Sequence, residues 1–170
     1  MNALLDAGLS PLPVGAVARD FALPQTSHSG LQPLRSGGHA VVLAFYPMDW
    51  EPVSREQLTL YQGYTDTFDR LGACLLGISI DHIYSHEAFA RDAQLYFPLL
   101  ADFQPRGQVA HQYGVFRDVQ GVSARALFVL DARRIIRFSK TYPDRLNPGV
   151  DELLTILETL TAGDTPARGL

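Results

Sequence analysis

The sequence predicts an α/β protein, a three-layer α/β/α sandwich with a central mixed β-sheet, as one domain over residues 1–170. Two continuous apolar runs, Ala40–Tyr46 and Cys74–Ile80, are typical of strands buried on both faces, as in a parallel sheet covered by helices. The segment between them, Pro52–Leu71, carries apolar residues at spacings of three and four, which indicates a helix. Such a β-α-β unit is right-handed in almost all proteins.

Proline, glycine and aspartate mark the ends of these elements. Pro47 ends the first strand and Asp81 follows the second. Pro52 suits the first turn of a helix, where a missing N–H costs nothing. Gly72 suits the position just after a helix. The sequence therefore predicts these boundaries as well as the elements.

Downstream, the sequence predicts a helix, a strand, a short helix, a β-hairpin and a closing helix. The expected ranges are 84–95, 97–100, 108–113, 125–130 paired with 135–138, and 150–160. The polar, glycine-rich segment 25–39 is expected to hold a turn or a short hairpin. This order of elements is thioredoxin-like. Residues 1–12 are expected to form an arm and residues 164–170 a loose tail.

Composition excludes several classes of function. Hydrophobic residues make up 46 % and charged residues 19 % of the chain, and the net charge is −4. The longest basic run is Arg133–Arg134, so binding to nucleic acid is not expected. No apolar run is long enough to span a membrane, and no signal peptide is recognised. Cys74 is the one cysteine, so an internal disulfide is impossible. A cytoplasmic protein is predicted. Neither a cofactor nor a metal is predicted.

One motif carries chemical information. Phe45–Gln57 resembles the active-site stretch of the peroxiredoxins, the alkyl hydroperoxide reductase and thiol-specific antioxidant (AhpC/TSA) family. Their pattern has a proline, then Thr or Ser four residues later, then the peroxidatic cysteine after three more. Pro47 matches the proline, but Glu51 stands at the threonine position and Ser54 at the cysteine position.

The resemblance continues through most of the chain, over about residues 13–160. It includes Gly77–Asp81, Ser85–Phe89, Phe97–Asp102 and Ser123–Asp131. In the family the arginine of the last stretch points into the active site, and Arg125 matches it. The resemblance implies a thioredoxin-like fold, a site made of Pro47, Glu51, Ser54 and Arg125, and a homodimer.

The chemistry of that family needs a thiolate, which attacks a peroxide oxygen and becomes a sulfenic acid. A serine without an adjacent general base is a weak nucleophile and cannot pass through that cycle. We therefore expect Ser54 to support no peroxide turnover. Our hypothesis is that the carboxylate of Glu51 pairs with Arg125 and partly fills the peroxide pocket. A Cys→Ser replacement alone would leave the threonine, so Glu51 indicates natural divergence.

Three functions remain open at this point. The first is a peroxiredoxin-like protein that has lost peroxidase activity and is retained to bind a protein or small polar molecule, or for regulation. The second is a thiol-dependent peroxidase, with its cysteine replaced in this chain or with Cys74 in its place. The third is a structural or regulatory subunit that pairs with an active relative.

Two residues bear on redox chemistry. Cys74 is a candidate redox centre, but a buried cysteine inside a central strand is the favoured interpretation. The resolving cysteine of some family members lies five residues after the first, and Thr59 stands there.

Other candidate sites are weaker. His82 and His86, with Asp81, have the spacing of metal ligands, but a helix start and a half-buried histidine explain them better. Ser54 lacks the Gly-x-Ser-x-Gly pattern of a hydrolase.

Three side chains flank the expected site. Trp50 and Tyr46 fit packing or a subunit contact equally well. Arg145 is expected to be a solvated loop residue, although it could approach the mouth of the pocket.

Overall fold

The computed structural model describes residues 6–27, 30–34 and 37–163, and it has the predicted α/β architecture. In chain order the elements are β1 (Ala22–Pro24), β2 (Leu31–Pro33), β3 (Ala40–Phe45), α1 (Pro52–Gln62), α2 (Thr65–Arg70), β4 (Ala73–Ser79), α3 (Ile83–Ala93), β5 (Leu99–Ala101), α4 (Gln108–Gln112), β6 (Phe116–Arg117), β7 (Val122–Ser123), β8 (Arg125–Leu130), β9 (Ile136–Tyr142) and α5 (Asp151–Gly163).

The central sheet has five strands in the order β5-β4-β3-β8-β9. The pairs β3–β4 and β4–β5 are parallel, whereas β3–β8 and β8–β9 are antiparallel. The sheet is therefore mixed, as predicted. Phe45 at the end of β3 pairs with Ala126 at the start of β8, which places Arg125 beside the carboxyl end of β3.

The two faces of the sheet have separate cores. On one face, α1, α2, α3 and α5 cover the alternate residues Val42, Ala44, Leu127 and Val129. On the other, α4 and segments near the N-terminus cover Val41, Leu43, Phe45, Ala126 and Phe128. Successive side chains of each strand thus point to opposite layers. Because both layers are buried, the apolar runs in the sequence are continuous.

The predicted helix 52–71 is wrong in one respect, because the chain forms two helices there. Gly63 and Tyr64 separate α1 from α2, and Tyr64 has a non-helical φ of −108°. Glycine costs more conformational entropy in a helix than other residues do. The Thr65 hydroxyl also donates to the carbonyl oxygen of Gln62 (3.0 Å), satisfying an end group of α1. Apolar spacing continues across the break, so periodicity alone hides it.

Strand ends differ from the predictions by a few residues. The strand expected at 97–100 begins at Leu99, after Pro98, which lacks the N–H that a ladder needs. The second hairpin strand runs on to Tyr142, since β9 is an edge strand that accepts polar residues. The hairpin of β6 and β7 was not predicted because each strand has two residues.

The described part of the N-terminal arm lies against the domain. The N–H of Ser10 donates to the carbonyl oxygen of Gly114 (3.0 Å), and that of Leu12 donates to Tyr113 (3.1 Å). Gly114 has a φ of +72°, and a Cβ there would lie 1.8 Å from the carbonyl oxygen of Ser10. Only glycine therefore allows this contact. The predicted tail, 164–170, lies outside the described residues. In the part of the chain described, no helix is long and apolar enough to cross a membrane.

Candidate functional site

The predicted site residues meet at the carboxyl edge of β3. A loop leads from β3 to α1 and begins with the buried residues Tyr46 and Pro47. Glu51 ends the loop as the N-cap of α1, and Ser54 lies in the first turn of that helix. Arg125 reaches the same place from β8. Pro47 thus lies at the start of the loop, while the other three side chains contact one another directly.

The carboxylate of Glu51 caps α1. Its Oε1 accepts the N–H of Val53 (2.9 Å), and its Oε2 accepts the N–H of Ser54 (2.6 Å). The hydroxyl of Ser54 donates to the same Oε2 (2.6 Å), as does Nη2 of Arg125 (2.9 Å). A negative charge is favoured at a helix N-terminus, and the arginine adds to that effect. This arrangement satisfies the hypothesis that Glu51 pairs with Arg125.

No donor of the first turn of α1 remains free. Pro52 has no N–H, and the N–H groups of Val53 and Ser54 are taken by the Glu51 side chain. The N–H of Arg55 donates to the backbone carbonyl of Glu51 (3.0 Å). A helix N-terminus normally offers such groups to an anion. Here an internal carboxylate uses them.

Arg125 is completely buried, and its guanidinium is also fully used. Nη1 donates to Gln57 Oε1 (2.8 Å) and Ser54 Oγ (3.3 Å). Nη2 donates to Glu51 and to the carbonyl oxygen of Asp144 (2.8 Å), and Nε donates to that same carbonyl (3.3 Å). A guanidinium has five N–H donors, and these bonds employ all of them.

The pKa of Glu51 reflects this environment. Partial burial by itself would raise the pKa, but the bonds from the Ser54 hydroxyl, the Val53 and Ser54 N–H groups and Arg125 outweigh it and lower the pKa. The carboxylate is therefore ionised at neutral pH and accepts hydrogen bonds only.

Sequence reasoning missed two partners of the site. Gln57 is buried, and its side chain joins Arg125 to the hydroxyl of Tyr61 (3.1 Å). It lies three residues after Ser54 on the same face of α1, and that spacing was the available signal. The carbonyl oxygen of Asp144 left no signal, because any residue type supplies a carbonyl.

The expectation that His86 is half-buried is wrong. His86 is fully buried, and its Nδ1 lies 2.9 Å from Oδ2 of Asp49. His82 is the N-cap of α3, as the helix-start interpretation predicts, and accepts the N–H of Tyr84 (3.3 Å).

Asp49, Asp81 and His86 bring three ligand atoms within 4.8 Å of one another. Each of the three is hydrogen-bonded inside the protein, Asp81 by the N–H of Asp49 (2.9 Å). A cation would have to replace those bonds, and the chemistry of the group is that of an internal hydrogen-bond network.

The interpretation of Cys74 as a buried core residue is wrong. Cys74 lies in β4 but is exposed. Strand β5 pairs only with residues 77–79 of β4, so among the described residues no strand pairs with the first residues of β4 on that side. The residue as a whole is exposed, but partial burial of its sulfur, and next the charge of Asp69, raise the pKa of the thiol. Cys74 is thus accessible, but its environment disfavours the reactive thiolate.

The remaining expectations concern the rim of the site. Tyr46 is fully buried and donates to Asp49 (2.9 Å), which decides in favour of packing for this residue. Trp50 is 51 % exposed and contacts Phe89 on one side (5.3 Å between ring centroids). Arg145 is exposed, as a loop residue should be.

Known proteins resemble this chain over most of its length. The AhpC/TSA family model matches residues 14–139. Peroxiredoxin 2 of Thermoplasma acidophilum is 31 % identical over 153 residues, which are 86 % of this chain and 75 % of that protein. Alkyl hydroperoxide reductase E of Mycobacterium tuberculosis is 34 % identical over 131 residues, 76 % of this chain and 85 % of that protein.

Solved structures agree with the fold. A reduced 2-Cys peroxiredoxin of Plasmodium vivax has a TM-score of 0.82 at 25 % identity, over 94 % of this chain and 90 % of that one. AhpC of Mycobacterium tuberculosis has a TM-score of 0.80 at 23 % identity, over 93 % and 98 %. The fold is therefore thioredoxin-like, and the chain belongs to the AhpC/TSA family of peroxiredoxins.

Proposed function

We propose that this protein is a peroxiredoxin-like protein without thiol peroxidase activity, retained for binding or regulation. In this proposal Ser54 occupies the position of the peroxidatic cysteine, and Glu51 occupies that of the threonine. Relatives carry the names peroxiredoxin and alkyl hydroperoxide reductase, so hydroperoxide reduction is the activity that we propose has been lost.

One observation carries the proposal: an internal carboxylate takes the hydrogen-bond donors that an incoming peroxide would need. The N–H groups of Val53 and Ser54 bind Glu51. All five N–H groups of the Arg125 guanidinium donate hydrogen bonds within the protein. Because catalysis of this kind depends on free donors aimed at the reacting oxygens, the pocket is filled in advance.

The chemistry of Ser54 supports the same conclusion. Its hydroxyl is fully buried and bonded to Glu51 (2.6 Å). Peroxide reduction requires an atom that accepts the transferred oxygen and later returns to its reduced form. A thiolate does this as a sulfenic acid, and an alcohol oxygen has no such cycle.

The one thiol of the chain, Cys74, lies too far from Ser54 to supply the missing thiolate. Cys74 pairs with Val41 at the beginning of β3, whereas Arg125 lies beside Phe45 at its end. Val41 and Phe45 are four residue steps apart along the strand, which is roughly 13 Å at about 3.3 Å per step. A peroxidase that uses Cys74 would therefore work without Arg125 and without the N-terminus of α1.

The surface around the filled pocket suits a binding role. Met48, Trp50, Tyr84 and Phe103 are exposed there. The segments that carry them are connected, because the N–H of Asp49 donates to Asp81 and the ring of His82 contacts both Tyr84 and Phe103. Exposed apolar patches commonly mark protein contacts. We assign this patch, defined by those four side chains, to a homodimer contact in the cytoplasm.

Hydrogen peroxide consumption with excess dithiothreitol tests the loss of activity. The native chain and its Cys74→Ser variant are expected to consume peroxide at the rate of dithiothreitol alone. Turnover by the native chain that disappears in the Cys74→Ser variant would replace the proposal with a relocated peroxidase. Turnover that persists in the variant would contradict our account of Ser54.

A further inference from the structure

Both ring nitrogens of His86 lie against hydrogen-bond acceptors. This histidine is on α3 and is completely inaccessible to solvent. Its Nε2 lies 3.0 Å from the backbone carbonyl oxygen of Leu100. A carbonyl oxygen only accepts hydrogen bonds, so Nε2 carries a hydrogen.

The second ring nitrogen also faces acceptors. Nδ1 of His86 lies 3.0 Å and 2.9 Å from the two carboxylate oxygens of Asp49. Those oxygens already accept the hydroxyls of Tyr46 (2.9 Å) and Ser85 (2.8 Å), as an ionised carboxylate does. A bare Nδ1 would place its lone pair against them. A hydrogen on Nδ1 satisfies both carboxylate oxygens, whereas a hydrogen on one oxygen of Asp49 would leave the other oxygen facing the ring lone pair.

Asp49 connects this pair to the loop that carries Glu51. Its side chain is bound to His86, and its backbone N–H donates to Oδ2 of Asp81 (2.9 Å). The next residue, Trp50, has a φ of +67°, which is uncommon for a bulky side chain and persists where the surroundings impose it. Glu51 follows directly as the cap of α1. The loop is therefore held immediately before and immediately after Trp50.

We propose that His86 is a doubly protonated, buried imidazolium, and that its ion pair with Asp49 is the positioning device that holds Glu51 on Arg125. The charged groups near His86 are Asp49, which contacts it, and Asp81, which accepts the backbone N–H of Asp49. The hydroxyl oxygen of Tyr46 lies 3.3 Å from Nδ1 of His86. The positioning part rests on the proposed function, since it assumes that Glu51 fills the pocket. The protonation part stands without it.

Nitrogen-15 NMR of the histidine rings in the native protein tests the protonation. Both ring nitrogens of His86, assigned by through-bond correlation to the backbone of His86 in the isotope-labelled native chain, are expected to show a directly bonded proton at neutral pH. A Nδ1 without a bonded proton, as in a neutral ring beside a protonated Asp49, would overturn the proposal. Assignment and measurement are both made on the unaltered chain, so the test does not depend on the folding of any variant.

Fluorescence of Trp50 tests the positioning, because it is the one tryptophan of the chain. Asp49→Asn is expected to shift the emission to longer wavelength and to increase quenching by acrylamide, as the contact with Phe89 loosens. Asp92→Asn, which removes an exposed carboxylate from α3, the helix that carries His86, is the control. Equal spectra for the two variants would overturn the positioning role. Peroxide turnover by the native chain would instead overturn the proposed function and leave the ring protonation intact.

Discussion

Glu51 does two tasks with one carboxylate, since it caps α1 and neutralises the buried Arg125. Replacing a buried ion pair by apolar residues is often harmless, whereas removing one partner is costly because a charge remains buried alone. Ser54 depends on the same carboxylate through its hydroxyl. At the scale of single residues, the site is therefore organised around Glu51.

Removing that carboxylate should destabilise the protein. For Glu51→Ala we expect a loss of unfolding free energy of at least about 1–2 kcal/mol, the cost of a lost N-cap, with a further loss because Arg125 keeps its buried charge. Urea denaturation measures it. Glu56→Ala, at an exposed position of the same helix, should change stability by less than about 0.5 kcal/mol. Equal losses in the two variants would show that the cap contributes little.

The pH dependence of stability follows from the lowered pKa of Glu51. The folded state favours the ionised form, so this contribution is complete above the ordinary glutamate pKa and is lost as the pH falls through the lowered value. Glu51→Gln should therefore flatten the acid side of the curve of unfolding free energy against pH. An acid limb identical to that of the native protein would mean that Glu51 is not coupled to folding.

The sequence could indicate only part of this site. The spacing of Pro47, Glu51 and Ser54, with the resemblance of Arg125, was enough to predict the pair of Glu51 and Arg125. The ion pair of Asp49 with His86 could not be predicted, because 36 residues lie between the two and no local rule joins them. Contacts of this kind depend on how β3 and α3 are packed.

At the scale of elements, β4 is tightly packed at Gly77. A Cβ on Gly77 would lie 2.8 Å from Cδ2 of Leu99 and 3.4 Å from the ring of Tyr46. Gly77→Ala should cost about 1–3 kcal/mol, the usual penalty of overpacking. Thermal and urea unfolding measure it, with Cys74→Ser as the control, since Cys74 is exposed in the same strand. A Gly77→Ala variant as stable as that control would mean that Leu99 moves away freely.

Elements buried on both sides were the predictable ones. The runs of β3 and β4 are apolar because helices or N-terminal segments cover both faces, and that signal is strong. The break between α1 and α2 and the exposure of Cys74 were not predictable from local patterns. The first depends on how one helix end is satisfied, and the second on how far β5 extends alongside β4.

At the scale of the whole molecule, the filled pocket and the apolar patch share one end of the sheet, and Cys74 lies at the other. If the patch forms the homodimer contact, Trp50→Glu should give a monomer in analytical ultracentrifugation. Val119→Glu, at a residue that is 95 % exposed, should leave the oligomeric state unchanged. Identical sedimentation of the Trp50→Glu variant and the native chain would assign the contact to another surface.

The central claim is that Glu51 fills the pocket in which Ser54 replaces a thiol. Peroxide consumption by the native chain, Ser54→Cys, and Ser54→Cys combined with Glu51→Thr tests it most directly. We predict no turnover by the native chain, and faster turnover by the double variant than by Ser54→Cys, because the Glu51 charge would raise the pKa of a neighbouring thiol and occupy its donors. Turnover by the native chain, or a Ser54→Cys variant as fast as the double variant, would contradict the account.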